Sequence, residues 1–219
     1  MKIALLPAKP LAFAKTRLAP LLSDAERARL AAAMFLDVLR ALTTARAVEA
    51  AVVVTADPTL AAHARRAGAV VVDEGTPRGL NAAVTLGTDT AARLGATSTL
   101  VVLSDVPLVQ AADIDDLLHR APAHGALVVP SKEGTGTNAM LRTPSTVFPP
   151  SFGGRSLERH VAAAERAGLP CTIVRNARFE LDLDTPEDLS TFASERSATE
   201  TYRELTRLGG STLRISARV

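Results

Sequence analysis

From Lys2 to Pro130, short and continuously apolar runs alternate with stretches whose apolar residues recur every three or four positions. No other feature constrains the fold as much. A continuous apolar run of strand length is buried on both faces, as in a parallel sheet covered by helices. Lys2–Ala8, Glu49–Ala56, Ala69–Asp73, Ser98–Leu103 and Ala126–Pro130 read as such strands. The first helix starts behind Ser23, with Glu26 three positions on to complete a capping box. Ala31, Met34, Phe35, Val38, Leu39 and Leu42 keep one of its faces apolar. Pro58–Gly68, with proline at its start and glycine past its end, is the second helix. Leu80–Gly95 and Ala111–Arg120 are the next two.

Strands separated by helices predict an α/β fold, a mostly parallel Rossmann-like sheet with helices on both faces. Beyond Pro130 the alternation loosens. A turn leads into a strand at Asn138–Arg142, and a helix over Leu157–Gly168 precedes a strand at Cys171–Arg175. Phe179–Asp184 reads as a short extended segment, Pro186–Ala193 as a helix, and Thr199–Leu208 as the last helix. A sheet of this kind takes its mixed or antiparallel strand here, which predicts a mixed edge. No Pro/Ser/Gly-rich linker and no repeat interrupts the chain. The expectation is one domain over residues 1–219, with no element assigned beyond about residue 209.

With 47% hydrophobic and 22% charged residues the chain can build a core. No apolar run approaches the ~18–20 residues of a membrane span. Met1-Lys2-Ile3 leads directly into a strand-like segment with no leader pattern. The expectation is a cytoplasmic protein without membrane contact. Cys171, the one cysteine, lies in an apolar run and reads as a core thiol. Tryptophan is absent, Tyr202 is the sole tyrosine, and the net charge is +2. Stacking on nucleic-acid bases is therefore not supported. Of the 25 basic residues 21 are arginine, yet Lys2, Lys9 and Lys15, three of the four lysines, fall in the first fifteen positions. Lysine is the compact point charge of the two.

Neither G-x-G-x-x-G nor a Walker loop follows the first strand. It ends instead in Pro7-Ala8-Lys9-Pro10, with Lys15-Thr16-Arg17 behind. Ligands of open α/β sheets sit beyond the carboxyl ends of strands. Lys9, Lys15 and Arg17 are thus predicted at the mouth of a site, with charge suited to a polyphosphate. Asp105 stands at the carboxyl end of the strand Ser98–Leu103, in the sequence Ser104-Asp105-Val106-Pro107. Its helix starts only near Ala111, so capping explains it poorly and metal ligation better. Asp182 and Asp184 share one side of an extended segment. Asp182 is the better ligand candidate; Asp184 is a ligand or a cap for the helix that Pro186 opens. Acids from two distant segments and a basic loop describe a site for Mg²⁺ and a nucleoside triphosphate. Gly134-Thr135-Gly136-Thr137 and Phe152-Gly153-Gly154-Arg155-Ser156 offer backbone donors and hydroxyls for a second, small anion. His160, on the Leu157–Gly168 helix, could turn toward the Ser156 loop, but it reads first as a surface histidine.

Pro7-Ala8-Lys9-Pro10, Lys15-Thr16-Arg17-Leu18, Gly79-Leu80-Asn81, Ser104-Asp105-Val106-Pro107, Gly134-Thr135-Gly136-Thr137, Phe152-Gly153 with Ser156, and Asp182-x-Asp184-Thr185-Pro186 occur in this order. Together they resemble the guanylyltransferases of deazaflavin coenzyme F-420 biosynthesis, which act on 2-phospho-L-lactate or phosphoenolpyruvate. The resemblance spans residues 2 to about 195. It implies a nucleotidyltransferase-like α/β fold and a Mg²⁺-dependent enzyme. That enzyme would join GMP from GTP to a phosphorylated three-carbon acid and release pyrophosphate. Phosphoenolpyruvate is the first choice of acceptor, with 2-phospho-L-lactate and 3-phosphoglycerate open. By the same resemblance Asp105 and Asp182 match the Mg²⁺-binding acids. Thr137, Gly153 and Ser156 match positions that hold the acid. Lys15 and Arg17 lie in the loop over the triphosphate, and Asn81 lies near the nucleoside. Asn138 and Met140 stand where family members vary. A downstream deazaflavin transferase would receive the product, and a homodimer stays open. Two alternatives stand beside this reading. One is another nucleotidyltransferase, of molybdenum-cofactor or sugar-nucleotide type, against which the missing glycine-rich entry loop argues. The other is a non-catalytic nucleotide-binding subunit, which would be expected to have lost Asp105 or Asp182.

Overall fold

Strand side chains alternate between the two faces of a sheet, so a strand apolar at every position must be covered on both. A computed structural model, which describes residues 1–212 and side chains through residue 209, shows this arrangement. The strands are β1 (Lys2–Pro7), β2 (Ala50–Val54), β3 (Val70–Val72), β4 (Ser98–Val102), β5 (Gly125–Pro130), β6 (Thr137–Thr143) and β7 (Cys171–Ile173). Ala4, Leu6, Ala51, Val53, Leu100, Val102, Leu127 and Val129 pack into one core. Their neighbours Ile3, Leu5, Val52, Val54, Val101, Ala126 and Val128 pack into another on the opposite face. Helices α1 (Asp24–Thr44), α2 (Pro58–Arg66) and α4 (Ala111–His119) cover the first face, and α3 (Leu80–Arg93) and α5 (Ser156–Arg166) the second.

The sheet order is β3-β2-β1-β4-β6-β5-β7. β1 pairs in parallel with both β2 and β4, so the chain's progression across the sheet reverses between β1 and β4. That is the switch point at which open α/β sheets bind ligands. Among the described residues β6 alone runs antiparallel, to β4 on one side and β5 on the other. It occupies the fifth position, inside the sheet, while the outermost strand β7 is parallel to β5. The consequence is functional. An antiparallel β6 brings its amino end, Thr137 and Asn138, to the edge where β1 and β4 end.

The predicted capping box at Ser23 and Glu26 opens α1. The segment expected to be extended over Phe179–Asp184 is different. Its first two residues lie in a short helix, α6 (Ala177–Glu180), nucleated by the Asn176 side chain accepting from the Arg178 N–H. Phe179 is fully buried there, an anchor for which strand alternation had no place. Cys171 is not in the core either: it is half-buried on the outermost strand. The tail without an assigned element lies largely outside the described residues, although α8 (Glu200–Thr212) runs a few residues past its expected end. No helix among the described residues is long and apolar enough to cross a membrane.

A buried carboxylate ties α8 to the body of the domain. Asp37, with its side chain 1% exposed on α1, accepts hydrogen bonds from the Glu200 and Thr201 N–H groups and the Thr201 hydroxyl. Those are donors at the start of α8 that no turn of that helix can satisfy. Asp37→Ala should destabilise the protein by about 2–3 kcal/mol, since charged hydrogen bonds are lost and buried donors orphaned. Urea denaturation measures the loss. Hydrogen exchange should show it concentrated at residues 200–208, and uniform exchange would remove the capping role.

Candidate active site

Four chain segments meet at the carboxyl edge of β1 and β4. They are the loop after β1, the turn after β4, the Ser131–Asn138 turn with the start of β6, and the loop ahead of α5. With Asp182, Asp184, the inner face of α1 and the segment from Glu74 into α3 they line a cavity of about 640 Å³. That lies in the range of small-molecule sites. Its lining includes Lys9, Lys15, Arg17, Asp105, Thr137, Gly153, Ser156, Asp182 and Asp184. Eight of these were singled out in the sequence as cationic, acidic or anion-binding candidates, and Gly153 as part of a glycine loop.

On one wall, oxygens of Asp105, Asp182 and Asp184 all lie within 4.8 Å of one another. Like charges this close raise each other's cost of ionisation. Burial, aided by Asp105 and Asp184, pushes the Asp182 carboxyl up to about 6. Lys15 answers the other two: its ammonium sits 2.8 Å from Asp105 Oδ2 and 2.8 Å from Asp184 Oδ1, with a side chain 9% exposed. Burial works against the Lys15 charge, but Asp105 and Asp184 outweigh it and hold its pKa above the usual value. Asp184 is half-buried, and although that burial works against its charge, Lys15, Arg17 and Lys9 bring its pKa below the usual carboxylate value. Arg17 Nη1 stands 3.6 Å from Asp184 Oδ2 and is otherwise mostly exposed. Lys15 adopts φ 51°, a left-handed conformation that costs a non-glycine residue energy. The paired 3₁₀ turns of the loop, Leu11–Phe13 and Thr16–Leu18, bracket it. The basic loop is thus a folded arm that delivers one ammonium to the acids.

The question whether Asp184 caps the following helix has a structural answer. Thr185 is the N-cap of α7 (Pro186–Ser194), and Asp188 closes the capping box on the N–H groups of Asp184 and Thr185. The Asp184 carboxylate is left to the cluster. Asp105 Oδ1 is buried and has no hydrogen-bond partner. An orphaned carboxylate oxygen beside two further acids fits the donor set of a hard divalent cation.

A second part of the lining is built from hydroxyls and glycine backbone. Gly136 lies so close to Ser131 that a Cβ would come within 2.8 Å of its hydroxyl, which accepts from the Gly136 N–H. Gly153 takes φ 110°, and its carbonyl accepts from the Ser156 N–H at 3.0 Å. Ser156 is the first residue of α5 and is buried; Arg155, in the left-handed region, precedes it. The two loops are stitched together by Leu157 N–H to Thr135 O at 3.1 Å. Asn81 is not on the cavity wall. Its amide donates to Phe152 O and accepts from Phe152 N–H, at 3.1 and 2.7 Å, and so braces the Gly153 loop from α3.

Two polar residues here were misjudged or passed over in the sequence. His160 is not a surface residue: it is fully buried, between the Thr137 hydroxyl and the Ser151 N–H. Burial, with Arg142 and Arg159 nearby, lowers its pKa to about 4, so it is neutral at pH 7. Asn138 donates to Asp182 Oδ1 at 2.9 Å, and to the carbonyls of Phe179 and Glu180, pinning one acid to the end of β6. The position of His160 four residues past Ser156, and that of Asn138 next to Thr137, were the only sequence cues.

The family model described as guanylyl transferase CofC like matches residues 1–216. A phosphoenolpyruvate guanylyltransferase of Sphaerobacter thermophilus is 40% identical over 192 residues, covering 87% of this chain and 92% of the relative. A 3-phospho-D-glycerate guanylyltransferase of Phenylobacterium zucineum is 40% identical over 178 residues, with 80% and 82% covered. A 2-phospho-L-lactate guanylyltransferase of Methanothermobacter thermautotrophicus is 34% identical over 186 residues, with 85% and 81% covered. Among solved structures, a Desulfovibrio desulfuricans G20 chain assigned as a nucleotide-diphospho-sugar transferase superposes with a TM-score of 0.79 at 16% identity, over 97% of both chains. A nucleotidyl transferase of Methanothermobacter gives 0.68 at 16% identity, over 89% of this chain and 97% of the other. At such identities the structures establish the shared nucleotidyltransferase fold.

The acid cluster has a cost that can be measured. A carboxyl whose folded pKa is raised keeps its proton when the unfolded chain has released it, so its contribution to stability is lost as pH rises from about 4 to about 6. In EDTA above pH 6, Asp182→Asn should therefore melt at a higher temperature than the unmutated protein, and the difference should shrink as pH falls below 5. A melting temperature unchanged or lowered across that range would show that Asp182 is not strained by its neighbours.

Proposed function

The chain belongs to the CofC-like guanylyl transferase family, and from that premise we propose that it joins GMP from GTP to the phosphate of a three-carbon acid and releases pyrophosphate. Phosphoenolpyruvate, the acceptor named for the Sphaerobacter relative, is put first, ahead of 2-phospho-L-lactate and 3-phosphoglycerate. One observation carries the reading. A single cavity has carboxylates and cations on one wall, and hydroxyls with glycine backbone on the other. The first wall suits a metal-bound triphosphate, the second a small anion.

An oxygen of the acceptor's phosphate attacks the α-phosphorus of GTP in line. The new P–O bond forms as the bond to the α–β bridging oxygen breaks, and pyrophosphate leaves with that electron pair. A phosphate monoester has its second pKa near ~6 and is mostly dianionic at neutral pH, so no base has to remove a proton. This agrees with His160, whose two ring nitrogens are both committed to hydrogen bonds. Catalysis is then positioning and neutralisation of charge. Asp105, Asp182 and Asp184 would hold Mg²⁺, which supplies charge compensation to the phosphates when bound. Lys9, Lys15 and Arg17 face the triphosphate, and Lys15 and Arg17 offset the charge that grows on pyrophosphate. Thr137, Gly153 and Ser156 bind the acid. Asn81 acts through Phe152, holding the acceptor loop in place, and does not read the base. The product is a mixed phosphoanhydride. In F-420 biosynthesis it passes, in the cytoplasm, to a deazaflavin transferase. All these residues belong to one chain.

Incubation with GTP, Mg²⁺ and each acid in turn, read by mass spectrometry, should show a guanylated product with phosphoenolpyruvate. No product with any of the three would end this reading. Ser156→Ala should raise the acceptor KM about ten- to a hundredfold, the equivalent of one hydrogen bond to a charged group, with the KM for GTP unchanged. Lys15→Ala should lower kcat with GTP and leave the preference for GTP over ATP intact, because an ammonium meets phosphates that both nucleotides share. A large change in that preference with kcat unaltered would place base recognition in the loop.

A further inference from the structure

His160 lies beneath the acceptor wall, where nothing has yet given it a task. Its Nε2 receives the backbone N–H of Ser151 at 2.9 Å. A backbone N–H can only donate, so Nε2 carries no hydrogen and the neutral ring is protonated on Nδ1. That Nδ1–H then donates to Thr137 Oγ1 at 3.1 Å. Among the described residues His160 is the hydroxyl's hydrogen-bond partner. With one lone pair taken, the Thr137 hydrogen is free for a group in the cavity that Thr137 lines.

The ring is held for this orientation. Phe152 meets it edge-on, with ring centroids 4.9 Å apart. The Ser151–Phe152 backbone it contacts is gripped again by Arg159, which donates to the carbonyls of Ser151 and Phe152, and by Asn81. Arg142, fully buried on β6, and Arg159 both discourage a second proton on the ring. The chain of donors therefore has one direction: Ser151 N–H to His160, His160 to Thr137, Thr137 to the ligand. Hydrogen bonds in series polarise one another, so the last donor is strengthened.

We infer that His160 is a positioning residue of the acceptor subsite, which fixes the Thr137 hydroxyl as a donor and so selects an anionic carboxylate or phosphate oxygen there. The inference rests on the proposal that Thr137 binds the acid. Because the ring contacts the loop and the hydroxyl through different nitrogens, two substitutions separate its roles. His160→Asn places an amide near the Nδ1 position and keeps a donor for Thr137. His160→Gln reaches the Nε2 position and keeps an acceptor for Ser151.

His160→Gln should raise the acceptor KM about tenfold, within the range of a hydrogen bond to a charged group, with the KM for GTP changed less than about twofold. His160→Asn should recover most of the acceptor affinity even where its melting temperature is the lower of the two. In the unmutated full chain, ¹⁵N-histidine NMR at pH 7 should show His160 with a protonated Nδ1 and a bare Nε2. A protonated Nε2, or acceptor and GTP KM values that rise together in step with lost stability, would overturn the inference. Thr137→Val separates the two layers. If it leaves the acceptor KM unchanged, Thr137 is not an acceptor contact and the underlying reading fails. If it raises the KM while His160→Gln does not, the assignment to His160 alone is wrong.

Discussion

Three carboxylates held within reach of one another at the end of a central strand are the constraint that organises this molecule. They cannot all ionise in a partly desolvated site without a cation among them. In the structure Lys15 is that cation, bridging Asp105 and Asp184, while Asp182 is left with a raised pKa. The loop that carries Lys15 accepts a left-handed residue and two tight turns to bring the ammonium in. The energy lost in that strain and in crowding the acids is offset elsewhere, by a sheet whose every central strand is buried on both faces.

The topology explains how the acids and the hydroxyl-bearing turns come to line one cavity. Parallel strands alone would bring only their carboxyl ends to this edge. Reversing β6 adds an amino end, and with it Thr137 beside the cavity and Asn138 on Asp182. One strand thus links both parts of the cavity: its first residue, Thr137, lines it beside the glycine loops and its second, Asn138, steadies the acid cluster. The Ser151–Gly154 loop is in turn locked by side chains that do not line the cavity, Asn81 from α3 and Arg159 and His160 from α5. Precision comes from these braces, because a glycine loop such as Phe152–Gly154 has little rigidity of its own.

Much of this was legible in the residues. Apolar runs without alternation meant a covered sheet, and Ser23 with Glu26 marked the start of α1, because both signals are local and their physics is short-ranged. Asp105 stood out since it ends a strand and lies too far from α4 to cap it, and the capping choice between Asp184 and Thr185 was at least visible as a choice. For His160 the inward turn was visible only as the less favoured of two options. Four residues after Ser156, it reads as one more polar position on an amphipathic helix. Only the packing of α5 on the sheet, against β5 and β7, turns it inward to meet Thr137. Phe179 misled for a related reason: its burial is decided by the sheet face it meets, not by the alternation around it.

The sequence by itself determined the class of fold, the segments that reach its ligand edge, and the chemical types gathered there. Backbone propensity, hydrophobic period and charge depend on near neighbours along the chain. The tertiary structure alone decided which of those groups are partners. Lys15 and Asp184 are 169 positions apart, and Thr137 and His160 are 23 apart. Whether such groups touch depends on strand order, on the direction of β6 and on how deeply each is desolvated. Those are properties of the packed sheet, and desolvation is what turns ordinary acids, a lysine and a histidine into a site.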